Sequence, residues 1–169
     1  MSRRAITVRW ASGRVAIASV TKMISPTAVL RLVDRGLLGD DTPLLDVLPP
    51  ELRIAALTPE HTLGHVLSHT SGLPDYFDDD DETWDSWLAS WDRIPTYHIR
   101  RPADMLPLFR DLPAVRPPGE AHQYNNGAFI LAGLALEAAA GRPYAEVVAD
   151  EVLRPAGMVD SSFEALDDE

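Results

Sequence analysis

Cysteine is absent from this 169-residue chain, so it can build no disulfide, no thiolate metal site and no cysteine nucleophile. Positive charge is scarce too. The formal net charge is −11 with no basic patch against it, which argues against a nucleic-acid or anionic-membrane partner. No apolar run approaches the roughly 18 residues that span a bilayer. Met1-Ser2-Arg3-Arg4 is not followed by the apolar core of a secretory signal, so the chain as written reads as cytoplasmic. A truncated N-terminus would reopen a periplasmic or secreted location. Lysine is nearly missing: Lys22 stands alone among 15 basic residues. An arginine keeps its proton in a protein, whereas a lysine amine can lose it under burial or neighbouring charge. Ser19 lies three residues before Lys22, a spacing that fits either an exposed helix start or a reactive pair.

What is present fits one globular domain with a substantial core, since the chain is 46% hydrophobic. Residues 5–18 read as two short strands around a turn at Ser12-Gly13. The pattern then turns helical from Ser19 to about Arg35, with Met23, Val29, Leu30 and Val33 as candidate core positions and Gly36 as the stop. Pro26 removes one hydrogen bond inside it. Residues 37–60, rich in Pro, Gly and Asp, read as a packed irregular crossover. Thr62 is placed to cap a short helix ending near Ser68, followed by a turn over residues 70–74. The acidic run 75–85 lacks the ligand spacing and central glycine of an EF-hand and reads as a solvated loop anchored by Trp84, Trp87 and Trp91. A helix is expected over residues 102–112. Residues 127–140, apolar on nearly every face, predict the central buried helix, ended by Gly141. One more amphipathic helix spans 143–153.

Residues three apart on a helix share a face, so the Lys22 amine can reach the Ser19 hydroxyl. A serine hydroxyl is a weak nucleophile and needs a neighbouring base. A Ser-Lys pair is one known way to supply it, and a helix N-terminus favours the negative charge that develops in acyl transfer. His61, His65 and His69, at i, i+4 and i+8, invite a zinc reading. Against it, no Glu follows His61 or His65, no carboxylate is placed as a ligand, and Gly64 weakens the helix. The expectation is no metal and no cofactor.

Ser19-Val20-Thr21-Lys22 resembles the Ser-x-x-Lys motif of the serine β-lactamases and penicillin-binding proteins. Three further stretches resemble the class C branch of that family, with its D-alanyl-D-alanine carboxypeptidase and esterase relatives, in the expected order. They are Leu67 to Tyr76 (LSHTSGLPDY), Pro118 to Phe129 (PGEAHQYNNGAF) and Glu151 to Met158 (EVLRPAGM). The resemblance runs from about Val15 to Phe163. It implies Ser19 as the nucleophile, Lys22 as its basic partner, Tyr124 as the phenol that shuttles the proton, and Asn126 as a substrate-binding residue that helps hold Lys22. A phenolate beside an ammonium can serve as a general base. His69 falls in the turn segment as a structural hydrogen-bonding residue, and His122 is a candidate lining residue of the cleft.

The resemblance also implies an α+β, β-lactamase/transpeptidase-like fold. Here that fold would be mainly the helical domain (19–163), with a short N-terminal β stub (1–18), an acidic tail (164–169) and most of the sheet missing. The family's late Lys-Thr-Gly or His-x-Gly strand has no counterpart, since the one lysine is used and no histidine is followed by x-Gly. That strand supplies a second oxyanion donor, and losing one such donor typically slows catalysis by about 100- to 1,000-fold. The expectation is a serine hydrolase that forms an acyl-enzyme at Ser19 and cleaves an amide, ester or β-lactam in a small-molecule or peptide-like substrate. The alternative is a truncated or non-catalytic remnant acting as a binding module.

Overall fold

The computed structural model describes residues 15–77, 91–92 and 94–163. The fold is built around α4 (Asn126–Ala140), as its continuous apolar composition requires. Asn125 caps it, its side chain accepting the Ala128 N–H at 2.6 Å. Gly141 ends it in the left-handed conformation at φ 65°, donating its N–H to the Glu137 carbonyl. Leu131, Leu134 and Leu136 on α4 are fully buried.

Helix α1 (Thr21–Asp34) packs against α4 and buries Ser25, Ala28, Val29 and Leu32. This corrects two expected core positions. Met23 and Leu30 are 72% and 54% exposed, because they lie seven residues apart on the side of α1 turned away from α4. Val29 is buried and Val33 partly so. The helix runs on through Pro26, whose neighbours bond backwards: Ser25 Oγ to the Thr21 carbonyl and Thr27 Oγ1 to that of Met23.

The crossover after Gly36 holds one short helix, α2 (Leu44–Val47), and a 3-10 turn over Pro50–Leu52. It is stitched to α3 (Leu63–Leu67) by an isolated antiparallel bridge between Pro43 and Thr62. Thr62 caps α3 as expected, accepting the His65 N–H, while the His65 ring accepts the Thr62 N–H. Gly64 presses against the crossover, where a Cβ would stand 2.8 Å from the Asp40 carbonyl oxygen. The segment expected as a helix over 102–112 is a 3-10 helix, Pro102–Leu108. Pro107 inside it has no N–H to give, and the tighter turn tolerates that better than an α-helix would. After Pro143, α5 (Tyr144–Val148) widens into a π-turn over Ala149–Leu153. There buried Glu151 accepts from both terminal guanidinium nitrogens of Arg35, at 2.7 and 2.6 Å, and ties the π-turn to the end of α1.

No strand occurs among the described residues, and Val15 to Ile17 are irregular. The rest of the expected β stub (1–14), most of the acidic run with Trp84 and Trp87, and the acidic tail lie outside the described residues. Trp91 packs against the core. No helix among the described residues is long and apolar enough to cross a membrane.

Candidate active site

Ser19 sits in a 3-10 turn, Ala18–Val20, that leads directly into α1. The turn opens on Ala18 in the left-handed region at φ 45°, a sparsely populated conformation for a residue with a Cβ. Lys22 follows in the first turn of α1, and residues three apart along a continuous helical path share a face. Lys22 Nζ therefore stands 3.4 Å from Ser19 Oγ. On its other side the amine donates to Asn126 Oδ1 at 2.7 Å.

Tyr124 reaches the same serine from far along the chain, its phenol donating to Ser19 Oγ at 3.0 Å. Two loops set its position. Gln123 N–H bonds to the His69 carbonyl, Gly119 N–H to that of Thr70 and Val115 N–H to that of Gly72, so segment 115–124 lies along the turn at 69–74. Gly72 makes the approach feasible: at φ 64°, a Cβ there would fall 2.2 Å from the Arg116 carbonyl oxygen. The His69 ring stacks on Tyr124 at 4.7 Å, and Lys22 Nζ lies 4.8 Å from the centre of the Tyr124 ring. His122 meets His69 edge-on at 5.7 Å.

Asp75 is the member that spacing and motif did not single out, although it closes the LSHTSGLPDY stretch. Its carboxylate caps the start of α4, accepting the backbone N–H of Asn126 at 2.5 Å and of Gly127 at 2.9 Å. It also accepts the Asn126 side-chain amide at 3.2 Å. The Asn126 amide is thereby oriented, NH₂ toward a carboxylate and carbonyl toward an ammonium. A chain Asp75–Asn126–Lys22–Ser19 results. Burial raises the Asp75 pKa, opposed by the N–H groups it accepts.

The histidines are otherwise employed. Nδ1 of His61 accepts the Thr58 N–H, that of His65 the Thr62 N–H and that of His69 the Asn125 N–H. His61 and His69 lie outside α3, so the three do not line one helix face. Among the described residues, no group of three His, Asp or Glu side chains could hold a metal ion. Burial lowers the His69 pKa, helped by the charges of His122 and Lys22, which suits a ring that accepts from a backbone N–H.

Ser19 and Lys22 open onto a cleft of about 530 Å³ between α1 and α4, which Asn126 also lines. Its size falls within the range of small-molecule sites. The arrangement can do acyl transfer: a hydroxyl under two proton-bearing groups, next to a cavity.

The beta-lactamase family model matches residues 10–169. Penicillin-binding protein 4* of Bacillus subtilis is 30% identical over 144 residues, which cover 84% of this chain and 29% of that protein. Esterase EstB of Burkholderia gladioli is 36% identical over 156 residues, covering 90% of this chain and 39% of the esterase. Among solved structures, a penicillin binding protein from Bacillus halodurans superposes with a TM-score of 0.76 at 41% identity, covering 90% of this chain and 43% of that one. A beta-lactamase/D-alanine carboxypeptidase from Yersinia pestis gives 0.66 at 27%, over 86% and 39%. The chain thus spans about a third of the length of these curated relatives.

Proposed function

The chain belongs to the beta-lactamase family and carries the helical part of a β-lactamase/transpeptidase-like fold, and from that premise we propose that it holds the acylation centre of a serine hydrolase. One observation carries the reading: Lys22 Nζ and Tyr124 OH converge on Ser19 Oγ from positions 3 and 105 residues away. In the proposed step Ser19 Oγ attacks the carbonyl carbon of an amide, ester or β-lactam. Its proton passes to the Lys22–Tyr124 pair, one member of which must first be deprotonated. The tetrahedral intermediate collapses, the bond to the leaving group breaks, and Tyr124 returns the proton to that group. Water then cleaves the acyl-Ser19 ester by the same route in reverse. Asn126 holds the lysine and can bond the substrate amide, while Asp75 positions Asn126. Residues 1–169 are read as one partial domain of the whole enzyme.

The test is covalent labelling by a fluorescent penicillin or a fluorophosphonate. Labelling of the folded chain that disappears in Ser19→Ala supports the reading, and a folded chain that stays unlabelled overturns it. A second reading, a non-catalytic binding module, is favoured by one observation. Val20, Met23 and Leu30 on the outer side of α1 and its approach are all more than half exposed, an apolar face of the kind that other protein covers. It predicts binding without acylation.

A further inference from the structure

The cleft extends well beyond the reacting atoms. Asn126, Phe129, Ile130 and Gly133 line it from α4. At i, i+3, i+4 and i+7 they share one helix face, so the cleft follows α4 for about 10 Å. Lys22 is the one cation among the described lining residues, and its amine is held at the reactive end by Asn126.

At the far end two hydroxyls meet, Ser25 Oγ and Tyr144 OH, 2.6 Å apart. Ser25 gives its hydrogen to the Thr21 carbonyl at 3.1 Å. With that hydrogen so used, Tyr144 supplies the one between the two oxygens, and an incoming anion would have to break this pair to gain a donor. Burial raises the Tyr144 pKa, so the phenol stays protonated. Between the two ends the walls are mostly apolar, Trp91, Phe129, Ile130 and Pro102, with the ring of Tyr76 beside them. A carboxylate brought here would lose its hydration and meet only neutral groups, with no cation beyond Lys22 among the described lining residues, whereas an apolar group would lose only water contact. Gly133 sets the depth. A Cβ on it would stand 3.4 Å from Pro102 Cγ and 3.5 Å from Tyr144 Cδ2, and anything longer would project into the space between them.

Which half of a substrate enters follows from Tyr124. It is 39% exposed and does not line the cleft. A leaving group protonated by Tyr124 departs on that outer side, so the part that stays on Ser19 lies inward. We infer that the far half of the cleft is an acyl-group subsite that takes an uncharged apolar chain or ring and rejects an acyl group ending in a carboxylate, with Gly133 setting its depth. This rests on Ser19 being the acylated residue.

The full chain is assayed with 4-nitrophenyl acetate, butyrate, hexanoate, phenylacetate and hemisuccinate, with Ser19→Ala as the blank. Each added methylene should raise kcat/KM by about fourfold, as expected for one buried CH₂, and hemisuccinate should fall at least about tenfold below butyrate. Gly133→Leu should lower the hexanoate-to-acetate ratio by about tenfold, and Ile130→Ala should shift preference toward phenylacetate. A flat series, or hemisuccinate equal to butyrate, overturns the subsite while leaving Ser19 as the nucleophile. If no ester is turned over, titration of Ser19→Ala with 4-nitrophenylacetamide, read by quenching of tryptophan fluorescence with Trp91 in the wall, separates the two ideas. Saturable quenching that Gly133→Leu abolishes keeps the subsite and removes only the nucleophile; no quenching overturns the subsite as well.

Discussion

Ser19 on its own is an exposed hydroxyl; what distinguishes it is the company of Lys22 and Tyr124. Replacing Lys22 with Met keeps much of the side-chain length and removes the amine. Penicillin or fluorophosphonate labelling should then slow by about 100- to 10,000-fold, the usual worth of a general base, in a chain that still folds. Asp75→Ala should act on both counts. It strands the N–H groups of Asn126 and Gly127 at the start of α4, which costs about 1–3 kcal/mol in urea unfolding. It also releases the Asn126 amide, so labelling should slow more than the lost stability alone explains. Ser19, Lys22, Tyr124 and Asn126 are legible in the sequence because each sits in a short pattern of fixed spacing. Asp75 is not, because its role depends on a loop meeting a helix end 51 residues away, and one aspartate in an acidic run carries no mark of that.

Elements whose composition decides their environment are the readable ones. Residues 127–140 are apolar on nearly every face and can only be central, and Thr62 precedes its helix with a hydroxyl where orphan N–H groups need one. Leu134→Ala should therefore cost about 2–5 kcal/mol in the same unfolding experiment, because a fully buried site leaves a cavity. Thr62→Ala should cost about 1 kcal/mol, the worth of its cap. Where composition is evenly mixed, legibility fails. Both sides of α1 carry apolar residues, so periodicity alone does not say which side meets α4, and Met23 and Leu30 turn out on the other. A proline near the end of residues 102–108 likewise does not say whether the turn tightens or stops.

For the molecule as a whole, buried and half-buried titratable groups set opposed pH responses. Burial lowers the pKa of His61 and of His69, so the folded state refuses protons that the unfolded chain accepts near 6.5. Stability from these two is present at neutral pH and falls as the pH drops through and below 6.5. Asp75 runs the other way: its raised pKa makes its contribution decline as the pH climbs upward from 3.8. Urea midpoints should therefore drop between pH 7.5 and pH 5, and drop less in His69→Gln; an equal drop would remove His69 from the cause. One consequence of the convergence on Ser19 concerns time during synthesis. Ser19 and the phenol of Tyr124 are 105 residues apart, and at about 5–20 residues per second a ribosome separates them by roughly 5–20 seconds. Through that interval the serine has emerged with Lys22 but without the phenol proposed to complete its activation. On the proposed mechanism a nascent chain stays unreactive until α4 closes onto α1, and acylation would serve as a clock for the moment of closure.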